Sequence, residues 1–167
     1  RTKKFNSELN ENFFYELVEF VRDNSHKKGI DKILSNYEEL DYDWIEFFVD
    51  FNWNWERIQD RKDFSIEIIN KYINLYKNMN INWKKLSSHN NFKINWLGKY
   101  RKKSWNMEDI YLHKNFELGW IRKIYSINEE KNFNHFSKNK NLDINIVCNY
   151  NNEAWDWNEI SSNPNIN

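Results

Sequence analysis

The residue types that most often carry out catalysis or bind metals are scarce in this chain. Its 167 residues include four histidines and one cysteine, Cys148. Cys148 has no histidine or acidic pattern beside it, so the sequence does not indicate an activated thiolate nucleophile. His89 and His113 fall at the same position of a repeating pattern, in a turn between two predicted helices where any polar residue would serve. We therefore predict no catalytic or metal-binding role for these two histidines.

Other signatures of enzymes are missing from the sequence as well. Acidic pairs such as Glu38-Glu39 and Glu129-Glu130 are typical of helix caps and solvated turns. There is no glycine-rich phosphate loop, no HExxH helix and no CxxC pair. The sequence therefore predicts a protein that is not an enzyme and has no cofactor.

The cysteine count and the hydropathy pattern indicate where such a protein would be found. A single cysteine excludes an internal disulfide and is typical of a reducing compartment. No signal peptide is recognisable, and no apolar run approaches the roughly 18 residues of a membrane span. We predict an intracellular protein that is not secreted and does not cross a membrane. The sequence begins without Met and ends inside a repeat, as a fragment of a longer protein would.

Charge is divided unevenly along the chain although it sums to zero. Residues 8–67 hold 16 acidic and 7 basic residues, a net charge of −9, whereas residues 71–140 hold 15 basic and 5 acidic residues, a net charge of +10. The candidate nucleic-acid-binding residues of the basic part are Lys84, Lys85, Lys99, Arg101, Lys102, Lys103, Arg122 and Lys123. Cations interleaved with aromatic residues can bind phosphates and stack bases. A simpler interpretation remains open, in which these charges only solvate the outer faces of helices.

Large apolar residues recur every 24 to 28 residues, and we call each set of equivalent positions a column. The central column consists of Leu34, Ile58, Leu86, Ile110, Phe136 and Ile160. Three residues earlier stands a second column, which consists of Trp55, Trp83, Met107, Phe133 and Trp157. Because residues three apart lie on one face of a helix, the two columns predict one helix in each repeat, which we call helix A.

Capping residues agree with this register. The residues that directly precede the second column are Asn54, Asn82, Asn106, Asn132 and Asp156, all of N-cap type. One residue before them stand Trp53, Ile81, Trp105 and Trp155, at the position that forms a hydrophobic staple with the central column. A second helix, helix B, follows in each repeat, with Asp41, Ser65 and Asp143 as its best N-caps.

The fold class predicted from this pattern is all-α, an α-solenoid of tandem helix-turn-helix repeats of 24–28 residues. Helix A should have about seven residues and helix B about ten, which is too short for either to be stable alone. The repeats lie near residues 30–52, 53–80, 81–104, 105–130 and 131–153, with a partial repeat at 154–167. Residues 1–29 form a lead-in and an N-terminal capping helix at 11–23, which has Phe14, Leu17, Val18 and Val21 on one face.

The last repeat carries the most specific motif. Residues 155–166 read Trp-x-Trp-x-x-Ile-Ser-x-Asn-Pro-x-Ile, and residues 53–69 and 81–98 match this pattern more loosely. The motif resembles the short Trp- and Asn-rich tandem repeats of giant DNA viruses such as the mimivirus group. Residues 1–29 do not share the resemblance. It implies a viral origin, a helical repeat and a location in the virion or the infected host cytoplasm, and it carries over no catalytic residue.

The predicted function follows from surfaces and from this resemblance. We expect a protein–protein interaction scaffold, a minor capsid or assembly component whose partners are other viral structural proteins. Trp155, Trp157 and Ile160 are the candidate partner-binding residues, because an incomplete last repeat should leave them exposed. The alternative is a nucleic-acid-associated virion protein that binds through residues 71–140.

Overall fold

A computed structural model describes residues 8–24, 29–37, 41–76, 79–127 and 133–166. Within these ranges the chain forms twelve helices and no strand, which confirms the all-α class. None of the helices in this part of the chain is long and apolar enough to cross a membrane. The chain divides into two compact units, Arg1–Ile58 and Gln59–Asn167. The predicted boundary between the capping segment and the repeats, at residues 29 and 30, stays a prediction.

The first unit begins with its longest helix. Its helices are α1 (Glu8–Asn24), α2 (Ile30–Ser35), α3 (Asp43–Phe47) and α4 (Trp55–Ile58). Val18 and Val21 of α1 are buried, as its amphipathic pattern predicts, whereas the side chains of Phe14 and Leu17 lie outside the described part of the chain. Helix α2 packs against α4, and Ile45 and Ile58 are fully buried.

The second unit continues the alternation of helices A and B. Its helices are α5 (Ile66–Tyr72), α6 (Trp83–Leu86), α7 (Asn95–Lys99), α8 (Met107–Tyr111), α9 (Leu118–Tyr125), α10 (Phe133–Ser137), α11 (Ile144–Asn149) and α12 (Trp157–Ser161). Helix α10 packs against α8 and against α12, and α7 packs against α9. Helix A of one repeat therefore contacts helix A of the next, and these B helices contact each other likewise. Leu86, Ile110 and Phe136 of the central column are buried between them.

The predicted caps of helix A are present where they can be seen. The side chain of Asn82 accepts a hydrogen bond from the Lys85 N–H, and that of Asn106 accepts one from the Glu108 N–H. Asp156 accepts two such bonds in α12. Asn132 lies outside the described residues. These bonds satisfy N–H groups that the first turn of a helix leaves without a carbonyl partner.

The predicted caps of helix B are confirmed at one position. Asp143 accepts a hydrogen bond from the Ile146 N–H at 2.9 Å. Ser65 stands at the N-cap of α5 but makes no side-chain capping bond. Asp41 lies one residue before the N-cap of α3, which is Tyr42, and accepts from the Asp43 N–H instead.

The tryptophans at the staple position have a second role that the sequence did not reveal. The indole N–H groups of Trp53, Trp105 and Trp155 donate to the carbonyls of Phe48, Tyr100 and Tyr150, at 3.1, 3.0 and 2.8 Å. Each acceptor is the C-cap residue of the preceding helix B, whose carbonyl has no partner within its helix. Tryptophan therefore joins the end of one repeat to the start of the next.

Both helices of each repeat are shorter than predicted. The A helices have four to six residues and the B helices of the repeats have five to eight. Serine side chains at the end of helix A bond back to a carbonyl one turn earlier, as Ser87 does to Trp83 and Ser137 to Phe133. Such bonds compete with continued helix, and the chain then enters a turn held by side chains. Helix α5 ends at Tyr72, and residues 73–75 form a turn.

Candidate interaction surfaces

A ladder of side-chain hydrogen bonds follows the turn between helices A and B in the second unit. His89 Nε2 is 3.1 Å from the Arg61 carbonyl oxygen, and His113 Nε2 is 3.1 Å from the His89 carbonyl oxygen. Asn139 and Asn163 occupy the same column, and their amides donate to the His113 and Asn139 carbonyls at 3.3 and 2.9 Å. Each side chain of this column therefore bonds to the residue of the same column in the preceding repeat.

Each of these side chains also accepts a hydrogen bond within its own turn. The backbone N–H of Asn91 donates to His89 Nδ1 at 3.1 Å, and that of Asn115 donates to His113 Nδ1 at 3.0 Å. Asn141 and Asn165 donate in the same way to the Oδ1 atoms of the asparagines two residues earlier. A residue in this column must thus carry a donor and an acceptor on opposite sides.

The ladder corrects the expectation that any polar residue would serve here. His113 is only 4% exposed, and Asn139 and Asn163 are buried as well. With Nε2 donating to a carbonyl and Nδ1 accepting from an N–H, His113 is the neutral Nε2–H tautomer. Burial lowers the pKa of His113 below its ordinary value of 6.5, while the bond to the His89 carbonyl opposes this effect. His89 and His113 each engage both ring nitrogens in hydrogen bonds, one to the preceding repeat and one within their own turn.

Two further sets of bonds run beside this ladder. The amides of Asn91 and Asn115 donate to carbonyls of the preceding repeat, at Lys62 and Asn90, and Asn141 and Asn165 donate to Lys114 and Lys140. The hydroxyls of Ser35, Ser87 and Ser137 accept from the backbone N–H of the next repeat's N-cap residue, each at 2.9 Å. The sequence carried a signal for these residues, because Ser-x-[His/Asn]-x-Asn occurs at 87–91, 137–141 and 161–165.

Six of the eight candidate nucleic-acid-binding residues are brought together. Lys99 ends α7, Arg101, Lys102 and Lys103 lie in the turn that follows, and Arg122 and Lys123 lie on α9. All six are exposed, and we call them the basic surface. A Cβ atom added to Gly98 of α7 would come within 3.2 Å of Lys123 Cε, so the Lys123 side chain lies over α7. Gly98 therefore lets the cations of two successive B helices approach each other.

Two lysines of the basic surface lie over aromatic rings. Lys99 Nζ lies 6.0 Å from the centre of the Tyr100 ring, and Lys103 Nζ lies 5.5 Å from the centre of the Trp83 ring. The Trp83 ring is itself buried between Tyr100 and Trp105. The lysines lie over the faces of Tyr100 and Trp83, and the side chains of Tyr100 and Trp105 are partly exposed.

The other two candidates, Lys84 and Lys85, are not part of the basic surface. Both are exposed on α6, which is a helix A. Lys85 Nζ forms an ion pair at 2.6 Å with Asp60 of the preceding repeat.

The expected exposure of the last repeat is wrong for two of its three residues. Trp155 and Ile160 are buried, whereas Trp157 is 59% exposed. Trp155 packs edge-on against the Phe133 ring at 4.7 Å, because the staple position faces the preceding repeat. Ile160 is buried in the same repeat, so Trp157 alone offers a large apolar surface there. Its role in partner binding stays a prediction.

A groove of about 350 Å³ opens between the ladder and the starts of α5 and α7. Its lining includes charges of both signs, those of Glu67 and Lys93. A hydrogen bond from the Ser65 hydroxyl lowers the pKa of the Glu67 carboxyl, and the nearby Lys93 and Lys99 act in the same direction. Among the described residues, no three His, Cys, Asp or Glu side chains are grouped so that they could hold a metal ion.

These features were compared with those of known proteins. No protein-family model, curated protein or solved structure matches the chain, so its resemblance to giant-virus repeats stays a prediction.

Proposed function

We propose that the chain is a non-enzymatic α-solenoid scaffold that binds an acidic protein partner through the basic surface. The observation that carries this proposal is that some columns of the repeat bond to neighbouring repeats whereas others face solvent. The polar residues that could do chemistry, His89 and His113 among them, are engaged in bonds between repeats. The columns that face solvent vary from repeat to repeat and carry the charges. Stacked repeats with variable outer residues are how solenoid proteins build binding surfaces.

An acidic protein suits the basic surface better than a bare phosphate chain would. The lysine side chains bring long apolar stems as well as charge, and such stems can cover apolar groups of a partner. Leu75, one repeat before Lys103 in the same column, is exposed beside this row of positions. A partner surface that combines carboxylates with apolar side chains would use both features.

Nucleic acid is the second candidate, and one observation favours it. Lys71, Lys99 and Lys123 occupy the same column and are all exposed, so one cation recurs in each of three successive repeats. A row of this kind can follow a phosphate backbone. Single-stranded ligands stack on open aromatic rings, whereas here the Trp83 ring is buried and lysines lie over the faces of Trp83 and Tyr100, which counts against such ligands.

Fluorescence anisotropy with three labelled probes tests the two candidates. The probes are a peptide that alternates Glu with Leu, a peptide of equal length and charge that alternates Glu with Ser, and a short DNA duplex. If the chain is a scaffold for an acidic protein, the Glu–Leu peptide should bind about tenfold or more tightly than the Glu–Ser peptide. A tenfold difference in affinity corresponds to about 1.4 kcal/mol of binding free energy. Equal affinity for both peptides, with DNA binding tightest at about 50 mM salt and falling steeply with salt, would favour nucleic acid.

A matched pair of variants locates the site. Lys99→Glu with Lys102→Glu reverses two charges of the basic surface and should abolish binding of the Glu–Leu peptide. Lys84→Glu with Lys138→Glu makes the same change in net charge at exposed positions outside it and should bind like the unaltered chain. Equal losses in both variants would show that only net charge matters and would refute the proposed surface.

Assignment to a giant-virus particle or its assembly machinery rests on the motif at 155–166 alone. Mass spectrometry of purified particles for peptides of this chain would test that part of the proposal.

A further inference from the structure

The two compact units carry opposite net charges. Residues 1–58 hold 13 acidic and 8 basic residues, a net charge of −5, whereas residues 59–167 hold 12 acidic and 17 basic residues, a net charge of +5. The contrast is sharper near the B helices. Residues 41–56 contain five acids and no Lys or Arg, and residues 93–107 contain five bases and no acid.

The inversion occurs at equivalent positions of the repeat. Positions 52 residues apart are equivalent, because 52 residues make two repeats. Asp41 therefore corresponds to Lys93, and Asp50 corresponds to Lys102. In the same way, Phe47 corresponds to Lys99, and Val49 corresponds to Arg101. The end of α3 therefore presents carboxylates and apolar groups where the end of α7 presents cations.

The side chains around α3 form a surface with the anatomy of a protein interface. Phe47 and Val49 are 55% and 52% exposed, although both are apolar. Four exposed carboxylates lie along the same stretch, and together with Phe47 and Val49 we call them the acidic surface: Asp41, Asp43, Glu46 and Asp50. Exposed apolar side chains among charged ones are typical of binding surfaces.

We propose that the acidic surface is the docking site for the basic surface of a second copy of this chain. The inference rests on the proposed function, since it names the acidic partner of the basic surface. Charge complementarity selects this occupant, because the carboxylates of α3 meet cations displayed on the same repeat framework. The stems of Lys99, Lys102 and Lys103 can cover Phe47 and Val49, and their ammonium groups can lie over the Phe47 ring. A chain with one surface of each kind associates with itself.

Sedimentation equilibrium of the full chain over a range of protein concentrations tests this association. In about 50 mM salt the chain should form a species of two or more copies as its concentration rises, and about 500 mM salt should weaken association tenfold or more, because exposed ion pairs are screened. Phe47→Ser should also weaken association about tenfold, because it removes an exposed aromatic ring from the acidic surface. A monomer at every concentration in low salt would overturn the proposal.

Charge exchange makes the test specific. Lys99→Glu with Lys102→Glu lowers the net charge of the basic surface from +6 to +2, and Glu46→Lys with Asp50→Lys changes that of the acidic surface from −4 to 0. Each variant alone should associate more weakly than the unaltered chain. An equimolar mixture should associate again, because the intact acidic surface of one variant meets the intact basic surface of the other. Lys84→Glu with Lys138→Glu is the control and should associate like the unaltered chain. Two variants that associate no more strongly when mixed than alone, or a control that loses association equally, would refute the proposal.

The outcome also separates this inference from the proposed function. A monomeric chain that still binds the Glu–Leu peptide, and loses it on Lys99→Glu with Lys102→Glu, would overturn self-association alone. A chain whose peptide binding is indifferent to that variant would overturn the proposed function as well. Circular dichroism of each variant establishes that the exposed substitutions leave the helices formed.

Discussion

Replacing His113 by Asn should preserve the fold and remove one source of its pH dependence. His113 bonds through Nε2 to the His89 carbonyl and through Nδ1 to the Asn115 N–H. Asn has a donor and an acceptor in the same relation, and Asn139 and Asn163 already make the equivalent bonds in the next two repeats. We therefore expect His113→Asn to cost under about 1.5 kcal/mol of unfolding free energy, mostly from lost packing of the ring.

Replacement by Ala should be much more costly. It leaves the partly buried Asn115 N–H without its acceptor, which costs about 1–3 kcal/mol, whereas the His89 carbonyl keeps its bond from the Phe92 N–H at 2.8 Å. It also removes ring contacts with Phe92 and Trp120, whose ring centres each lie 5.4 Å from that of His113. The sum is about 3–5 kcal/mol for His113→Ala.

The sign of the pH effect follows from the lowered pKa of His113. An imidazolium would point an Nδ1–H at the Asn115 N–H, so the folded state resists protonation. The unfolded chain, with an ordinary histidine pKa near 6.5, binds the proton first as the pH falls. The stability that neutral His113 provides is therefore fully present above pH of about 6.5 and is lost as the pH falls from there towards the lowered folded pKa.

Urea unfolding followed by circular dichroism at several pH values between about 8 and 5 measures this effect. The difference in unfolding free energy between the unaltered chain and His113→Asn isolates His113, because the other histidines and the carboxylates are common to both. The unaltered chain should lose its advantage as the pH falls. A difference that stays constant across the range would refute the neutral tautomer and its two bonds.

Three further predictions use the same unfolding assay. Leu86→Ala should destabilise the chain by about 2–5 kcal/mol, because Leu86 is buried at the centre of its repeat. Ser87→Ala should cost about 1–3 kcal/mol, because it deprives the Asn106 N–H of its acceptor. Ser88→Ala, at the neighbouring exposed position, should change stability by under about 0.5 kcal/mol. Equal effects would contradict the role of the Ser87 hydroxyl in joining two repeats. Trp155→Ala should cost about 3–5 kcal/mol, because Trp155 is buried. Trp157→Ala should cost under about 0.5 kcal/mol, because Trp157 is exposed. The reverse order would contradict the placement of α12.

The helical class and the register of helix A could be predicted from the sequence because both depend on local chemistry. The spacing of three residues between Trp83 and Leu86 defines a helix face, and Asn82 caps the same turn whatever the rest of the chain does. Both apolar residues are buried, as expected. These features need no knowledge of the neighbouring repeat.

The bonds between repeats could not be predicted because they depend on backbone atoms some 24 residues away. The sequence showed that His89 and His113 share a column, but not that a carbonyl of the preceding repeat lies 3.1 Å from each ring. The wrong expectation that Trp155 and Ile160 are exposed has the same cause. Periodicity gives the residues that share a face of helix A, whereas only the packing of α10 against α12 shows which face the preceding repeat covers.

One repeat shows that the ladder needs only backbone atoms as its acceptors. In the repeat that precedes His89, the two ladder columns hold Arg61 and Asp63, and these side chains pair with each other through two contacts of 3.0 Å. The carbonyls of Arg61 and Lys62 nevertheless accept from His89 and Asn91, because every residue supplies a carbonyl. A repeat therefore accepts ladder bonds through its backbone, whatever side chains stand in its own ladder columns.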